Sequence, residues 1–123
     1  MFADAKKIGD TVEGWITRSE SRLLYHLAKE CTGKGVIVEI GSWKGKSTVF
    51  LSLGSKDGKN IRVYAIDPHI GGTEQKDLRP TYDTFLKNIK RVKVDDIVTP
   101  ILDTSANAAK EWKLPMEYIE KYL

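Results

Sequence analysis

Cysteine is almost absent from this 123-residue chain, and the single Cys31 excludes both an intramolecular disulfide and a zinc cluster built on thiolates. Its place among helically spaced apolar residues reads as a buried structural thiol. Histidine is nearly as scarce, and His26 has no partner at metal-ligand spacing, so no metal site is assigned. No apolar run reaches the length of a membrane span, and residues 1–10 lack the apolar core of a signal peptide. A cytoplasmic location with no membrane contact is the resulting expectation. Charge of one sign is missing too: 20 Lys and Arg against 17 Asp and Glu leave a net charge of +3. That is too little to argue for nucleic acid or an anionic surface. The basic run Lys87, Lys90, Arg91 and Lys93 is diluted by Asp83, Asp95 and Asp96, so it reads as a solvated helix face. What remains is the composition of one soluble domain, long enough to bury about two-thirds of its unfolded surface.

The informative stretch is residues 36–53, VIVEIGSWKGKSTVFLSL. A β-branched run holding Glu39 passes through Gly41 and Gly45 into an apolar-periodic segment, which predicts strand, tight turn and helix. Glycines at such a crossover let the backbone turn sharply and come close to a ligand, and the helix N-terminus attracts a carboxylate or phosphate. Spacing discriminates between ligands. A phosphate-cradling loop needs four residues between its first glycine and Gly-Lys-Ser/Thr, whereas Ser42, Trp43 and Lys44 are three, and Trp43 is bulky. The dinucleotide fingerprint G-x-G-x-x-G would need glycine where Trp43 and Lys46 stand. A carboxylate at the strand end suits an ammonium, while the helix N-terminus with Ser47 suits a carboxylate; together they suit an amino-acid zwitterion.

On either side the pattern continues. Residues 1–10 read as a short helix or a frayed end, and Val12, Trp15 and Ile16 fall at helical spacing with Trp15 expected in the core. Thr17, Arg18, Ser19 and Glu20 form a capping box for a helix whose apolar stripe is Leu23, Leu24, Leu27, Ala28 and Cys31, closed by Gly33 and Gly35. Val49, Phe50 and Leu53 should face inward from the helix after Gly45, and residues 56–60 should turn. Residues 61–66 form a second strand ending at Asp67, which completes a βαβ unit with parallel strands. An acid at that position suits two ribose hydroxyls, although a turn role before Pro68, or a Walker B role, fits the same residue. Residues 68–80 carry no period, and His69 there reads as an exposed loop histidine. Tyr82, Phe85, Leu86 and Ile89 mark another helix; residues 97–102 mark a third strand, whose Pro100 demands a sheet edge. Asp103, Thr104 and Ser105 then open a helix reaching Trp112. Residues 115–123 fit the start of a fourth strand and a short helix equally well.

Glu39-x-Gly41-x-Trp43-x-Gly45-x-Ser47 resembles the first motif of class I S-adenosylmethionine-dependent methyltransferases, particularly the branch related to catechol O-methyltransferase. The resemblance extends from about Val12 to Ile119. It implies a Rossmann-like three-layer α/β sandwich: a partial parallel sheet of order 3-2-1, with a place for strand 4 beside strand 1, and helices on both faces. It implies S-adenosylmethionine as cofactor and a small-molecule methyl acceptor. Glu39 would hold the methionine ammonium, Gly41 would make room and Ser47 would take the carboxylate, with Ser42, Trp43 and Gly45 completing the loop. Asp67 would grip the ribose. Asp103, Thr104 and Ser105 would lie by the adenine, with helix capping an equal reading of the same side chains.

Family members continue for roughly another half-domain, which carries their catalytic and metal-binding residues, so none is assigned here. Residues 1–123 are expected to be one incomplete methyltransferase-like domain. Three readings follow: a methyltransferase or its cofactor-binding half, a non-catalytic cofactor- or partner-binding half-domain, and a nucleotide triphosphatase disfavoured by its short glycine loop. An apolar first strand near an open edge leads to the expectation of a homodimer.

Overall fold

A computed structural model describes residues 1–70 and 80–112. In chain order the elements are α1 (Phe2–Gly9), α2 (Arg18–Lys29), β1 (Ile37–Ile40), α3 (Lys46–Asp57), β2 (Val63–Ile66), α4 (Pro80–Arg91), β3 (Val98–Ile101) and α5 (Ser105–Lys110). The readings of residues 115–123, and of the 68–80 loop beyond Ile70, lie outside the described residues.

The strands form one parallel sheet of order β1-β2-β3, with Ile37 opposite Val63 and Val63 opposite Val98. This is the expected 3-2-1 order, and Pro100 sits on the edge strand, where its missing N–H costs no ladder bond. One face of the sheet meets α3 and α4: Val63, Ala65 and Val98 pack with Val49, Leu51, Phe85 and Ile89. On the other face, α5 and Trp112 flank Val38, Ile40 and Ile66 around a groove of about 340 Å³. Helices on both faces of an open parallel sheet make this a Rossmann-like α/β fold. Among the described residues β1 is the outermost strand on its side, and Val38 and Ile40 are exposed there.

Helix α2 begins as its sequence dictates. Thr17 Oγ1 accepts from the Glu20 amide at 3.1 Å, and Glu20 Oε1 accepts from the Thr17 amide at 3.0 Å. Its buried face differs from the expected leucine stripe. Ser21, Tyr25 and Ala28 are buried, while Leu23 and Leu27 are more than half exposed. The cause lies on the neighbouring helix. A Cβ on Gly54 of α3 would overlap the Tyr25 carbonyl oxygen, so the two backbones touch there. Only small side chains fit along such a contact, together with a tyrosine that reaches past it to donate from its hydroxyl to Asp57 Oδ2.

Trp15 also departs from expectation. It is 94% exposed, not core, because α1 ends at Gly9 and residues 11–16 run on outside any helix with only Val12 turned into the core.

Replacing Gly54 by Ala should destabilise the protein by up to about 2 kcal/mol, because an overpacking cost near the upper end of about 1–3 kcal/mol outweighs the roughly 1 kcal/mol gain in helix propensity. Urea unfolding followed by circular dichroism measures the difference.

Candidate ligand corner at the ends of β1 and β2

The sheet ladder continues one residue past β1, where the Gly41 amide donates to the Ile66 carbonyl at 2.8 Å. The chain then turns through three left-handed residues, Gly41 at φ +89°, Trp43 at +48° and Gly45 at +95°. A Cβ on Gly41 would meet nothing within 4 Å, so glycine is required there by its dihedral angle and the space beside it is open. Gly45 is required twice over, since a Cβ would also press on Phe85 at 3.0 Å. It caps α3 without a side-chain hydrogen bond, leaving the first-turn amides of Lys46 and Ser47 uncapped by any side chain.

Glu39 stands on the α3 side of β1 and is only 8% exposed. Its Oε1 accepts a hydrogen bond from the Thr48 hydroxyl, while Oε2 is enclosed without a partner. The Ser42 hydroxyl is enclosed and unpartnered as well. Burial pushes the Glu39 carboxyl up to about 7; Thr48 and Ser42 pull in the opposite direction, and the charge of Asp67 pushes it further up. Two buried oxygens that lack partners at one turn are costly to the protein alone and are suited to a ligand that brings hydrogen-bond donors.

Asp67 follows β2 at the same end of the sheet. Its Oδ2 accepts from the Trp43 amide at 2.8 Å and its Oδ1 from the His69 amide at 2.7 Å. The acid therefore ties the glycine corner to the segment after β2, and each oxygen keeps a further lone pair. The turn reading of this residue is carried out through His69, and the same side chain also accepts the Trp43 amide at the corner. His69 is not the exposed loop histidine expected from its position. The turn folds it under the start of α4, where it is 4% exposed, with Nδ1 3.3 Å from Thr81 Oγ1 and the ring beside Tyr82 and Phe85. Burial lowers its pKa, opposed by the nearby Asp67.

At the third strand the capping reading is what the side chains carry out. Thr104 Oγ1 accepts from the Asn107 amide at 3.1 Å, and Asp103 Oδ1 accepts from the Thr104 amide at 2.7 Å and from Asn107 Nδ2 at 3.1 Å. Ser105 lines the apolar groove with Val38, Ile40 and Ile66. The Asp67 amide donates to the Ile101 carbonyl at 3.0 Å, so Glu39, Asp67 and Asp103 come from the same end of three adjacent strands. Sequence reasoning missed Thr48 and the enclosure of His69. A hydroxyl on the buried face of α3, nine residues after a strand carboxylate, was the available sign for Thr48.

Residues 38–120 match the family described as a methyltransferase domain. Among solved structures the chain is similar to that of cofactor-bound Rv0187 from MTB, with a TM-score of 0.58 and 21% identity. The match covers 89% of this chain and 46% of that one, so the chain spans about half the length of that relative. At this identity the likeness is one of fold.

The buried carboxyl has a pH signature. Its folded pKa of about 7 lies above its ordinary 4.5, so the native state holds the proton more tightly than the unfolded chain does. The cost of ionising it in place is absent below pH 4.5, grows between 4.5 and 7, and is complete above 7, at about 3 kcal/mol. Glu39→Gln should therefore stabilise the ligand-free protein at pH 8 by up to that amount and change little at pH 4.5, as read by urea unfolding at the two pH values.

Proposed function

The chain belongs to the methyltransferase-domain family, and on that premise we propose that it binds S-adenosylmethionine at the Gly41–Gly45 corner and serves methyl transfer to a small-molecule acceptor. The observation that carries this reading is the pair of enclosed, unpartnered oxygens, Glu39 Oε2 and Ser42 Oγ, at a turn whose adjoining space is open. An ammonium group supplies the donors and the positive charge this pair lacks. The uncapped first turn of α3 with Ser47 suits the carboxylate of the same zwitterion. The spare lone pairs of Asp67 suit ribose hydroxyls, and Asp103, Thr104 and Ser105 border the place left for the adenine. Bound there, the cofactor would supply an electrophilic methyl group to a nucleophilic acceptor, with Glu39, Ser42 and Ser47 holding its amino-acid end and Asp67 its ribose. The protein's part in such a transfer is chiefly to hold and align. Because the chain spans about half of the solved relative, a cofactor-binding half-domain without turnover is the second reading.

Calorimetric titration with S-adenosylhomocysteine, compared with Mg-ATP, tests the proposal. Binding of the first and not the second is expected, and the reverse result would reject it. Glu39→Ala should weaken binding about 10- to 100-fold, the range for losing a charge-assisted hydrogen bond. Affinity should rise with pH through about 7 as Glu39 ionises, with proton release on binding. A methyl-transfer assay over mixed acceptors then separates the enzyme from the binding half-domain. As part of the same reading, the exposed Val38 and Ile40, on the strand that is outermost among the described residues, support self-association at that side of the sheet. Light scattering at high concentration should show a dimer, and a clean monomer would count against it.

A further inference from the structure

The left-handed Trp43 is the least explained feature of the corner. Bulky residues rarely adopt a positive φ unless their surroundings enforce it, and here the result aims the Trp43 amide at Asp67. Three consecutive residues outside the corner meet it almost one for one. Glu13 Oε2 pairs with Lys44 Nζ at 2.6 Å, and that ammonium lies 4.6 Å from the centre of the Trp43 ring. Gly14 lies against Lys46 so closely that a Cβ would sit 3.1 Å from the lysine's own Cβ. The Trp15 ring stacks on Trp43 with centroids 5.6 Å apart and planes 12° from parallel. Val12, buried in the core, anchors this segment, and Arg91 of α4 holds it through the hydroxyl and carbonyl of Thr11. One turn before Arg91 on α4, Asn88 Nδ2 donates to the Lys44 carbonyl at 2.8 Å, so α4 holds both the segment and the corner.

We propose that Glu13, Gly14 and Trp15 form a positioning strap that keeps Trp43 in its left-handed conformation, and thereby keeps the Glu39 and Ser42 oxygens of the corner in their ligand-ready arrangement. The strap rests on the cofactor reading for its use, while its grip on Trp43 is a property of the protein alone. Trp15 is 94% exposed, so it meets Trp43 as a nearly parallel, laterally offset ring and contributes almost nothing to the core. Because Trp15 lies outside the core, its removal separates positioning from folding.

The test uses the full chain and the variants Trp15→Ala, Trp15→Phe and Gly14→Ala, with two readouts. Hydrogen exchange follows protection of the Trp43 amide, and calorimetry follows binding of S-adenosylhomocysteine. Trp15→Ala should lower that protection and weaken binding about 3- to 10-fold, the scale of one aromatic pair, with the urea midpoint falling by no more than the loss of one such pair allows. Trp15→Phe should recover most of both losses, and Gly14→Ala, which pushes the segment off Lys46, should reproduce them. Unchanged amide protection in Trp15→Ala and Gly14→Ala would overturn the strap, as would binding losses that follow global stability across the variants. If the wild-type protein binds no S-adenosylhomocysteine, the cofactor reading fails, and amide protection by itself decides for or against the strap.

Discussion

A carboxyl group held out of water with one of its two oxygens left without a hydrogen-bond partner is the constraint on which the rest of the site depends. Glu39 reaches that state because a residue one place from the end of a parallel strand points toward the helix that follows, and α3 meets it with the hydroxyl of Thr48. Burial raises the cost of its charge, and the protein supplies one partner and withholds the other. The arrangement is unfavourable for stability in isolation. It becomes favourable when a cation with hydrogen-bond donors occupies the turn, which is how a strained or unsatisfied site stores affinity for its ligand.

The corner above that carboxyl is built from backbone more than from side chains. Three positive dihedral angles within five residues turn the chain from strand to helix, and Asp67 receives two amides that fix how the turn stands relative to β2. One acid thus couples the end of β1 to the start of the segment that leads to His69 and α4. The same residue can serve as structural clasp and as ligand acceptor, because a carboxylate has about four lone-pair directions and the two amides use two. Removing it would therefore disturb geometry as well as binding. Glu39, held by the Thr48 hydroxyl with Ser42 beside it, is the cleaner reporter of ligand contact.

Packing around the corner follows from a few close approaches. Gly54 brings α2 and α3 into backbone contact, which turns Leu23 and Leu27 of α2 outward and seats Tyr25 on Asp57. Gly45 admits Phe85, and the histidine after β2 is covered as α4 lies down on it. These approaches hold the site between α3, α4 and the strap, so its shape depends on α4 as well as on the elements that carry its candidate ligand-facing groups.

Much of this protein is written in local rules. The period of residues 36–53, the two glycines at a strand-to-helix crossover, the capping box at Thr17 and the edge-seeking Pro100 each specify their own conformation within a few residues. The end of the sheet that carries the acids and the candidacy of Glu39 and Asp67 followed from them, while the strand order came from the family resemblance, with which the edge-seeking Pro100 agreed. Other features depended on residues distant in sequence. Which side of α2 is buried is decided by Gly54, the stacking of Trp15 by Trp43, the enclosure of His69 by α4, and the partner of Glu39 by the phase of α3. Periodicity and spacing describe what a segment is able to do, and only the approach of a second segment chooses which face, which partner and which charge is sealed from water.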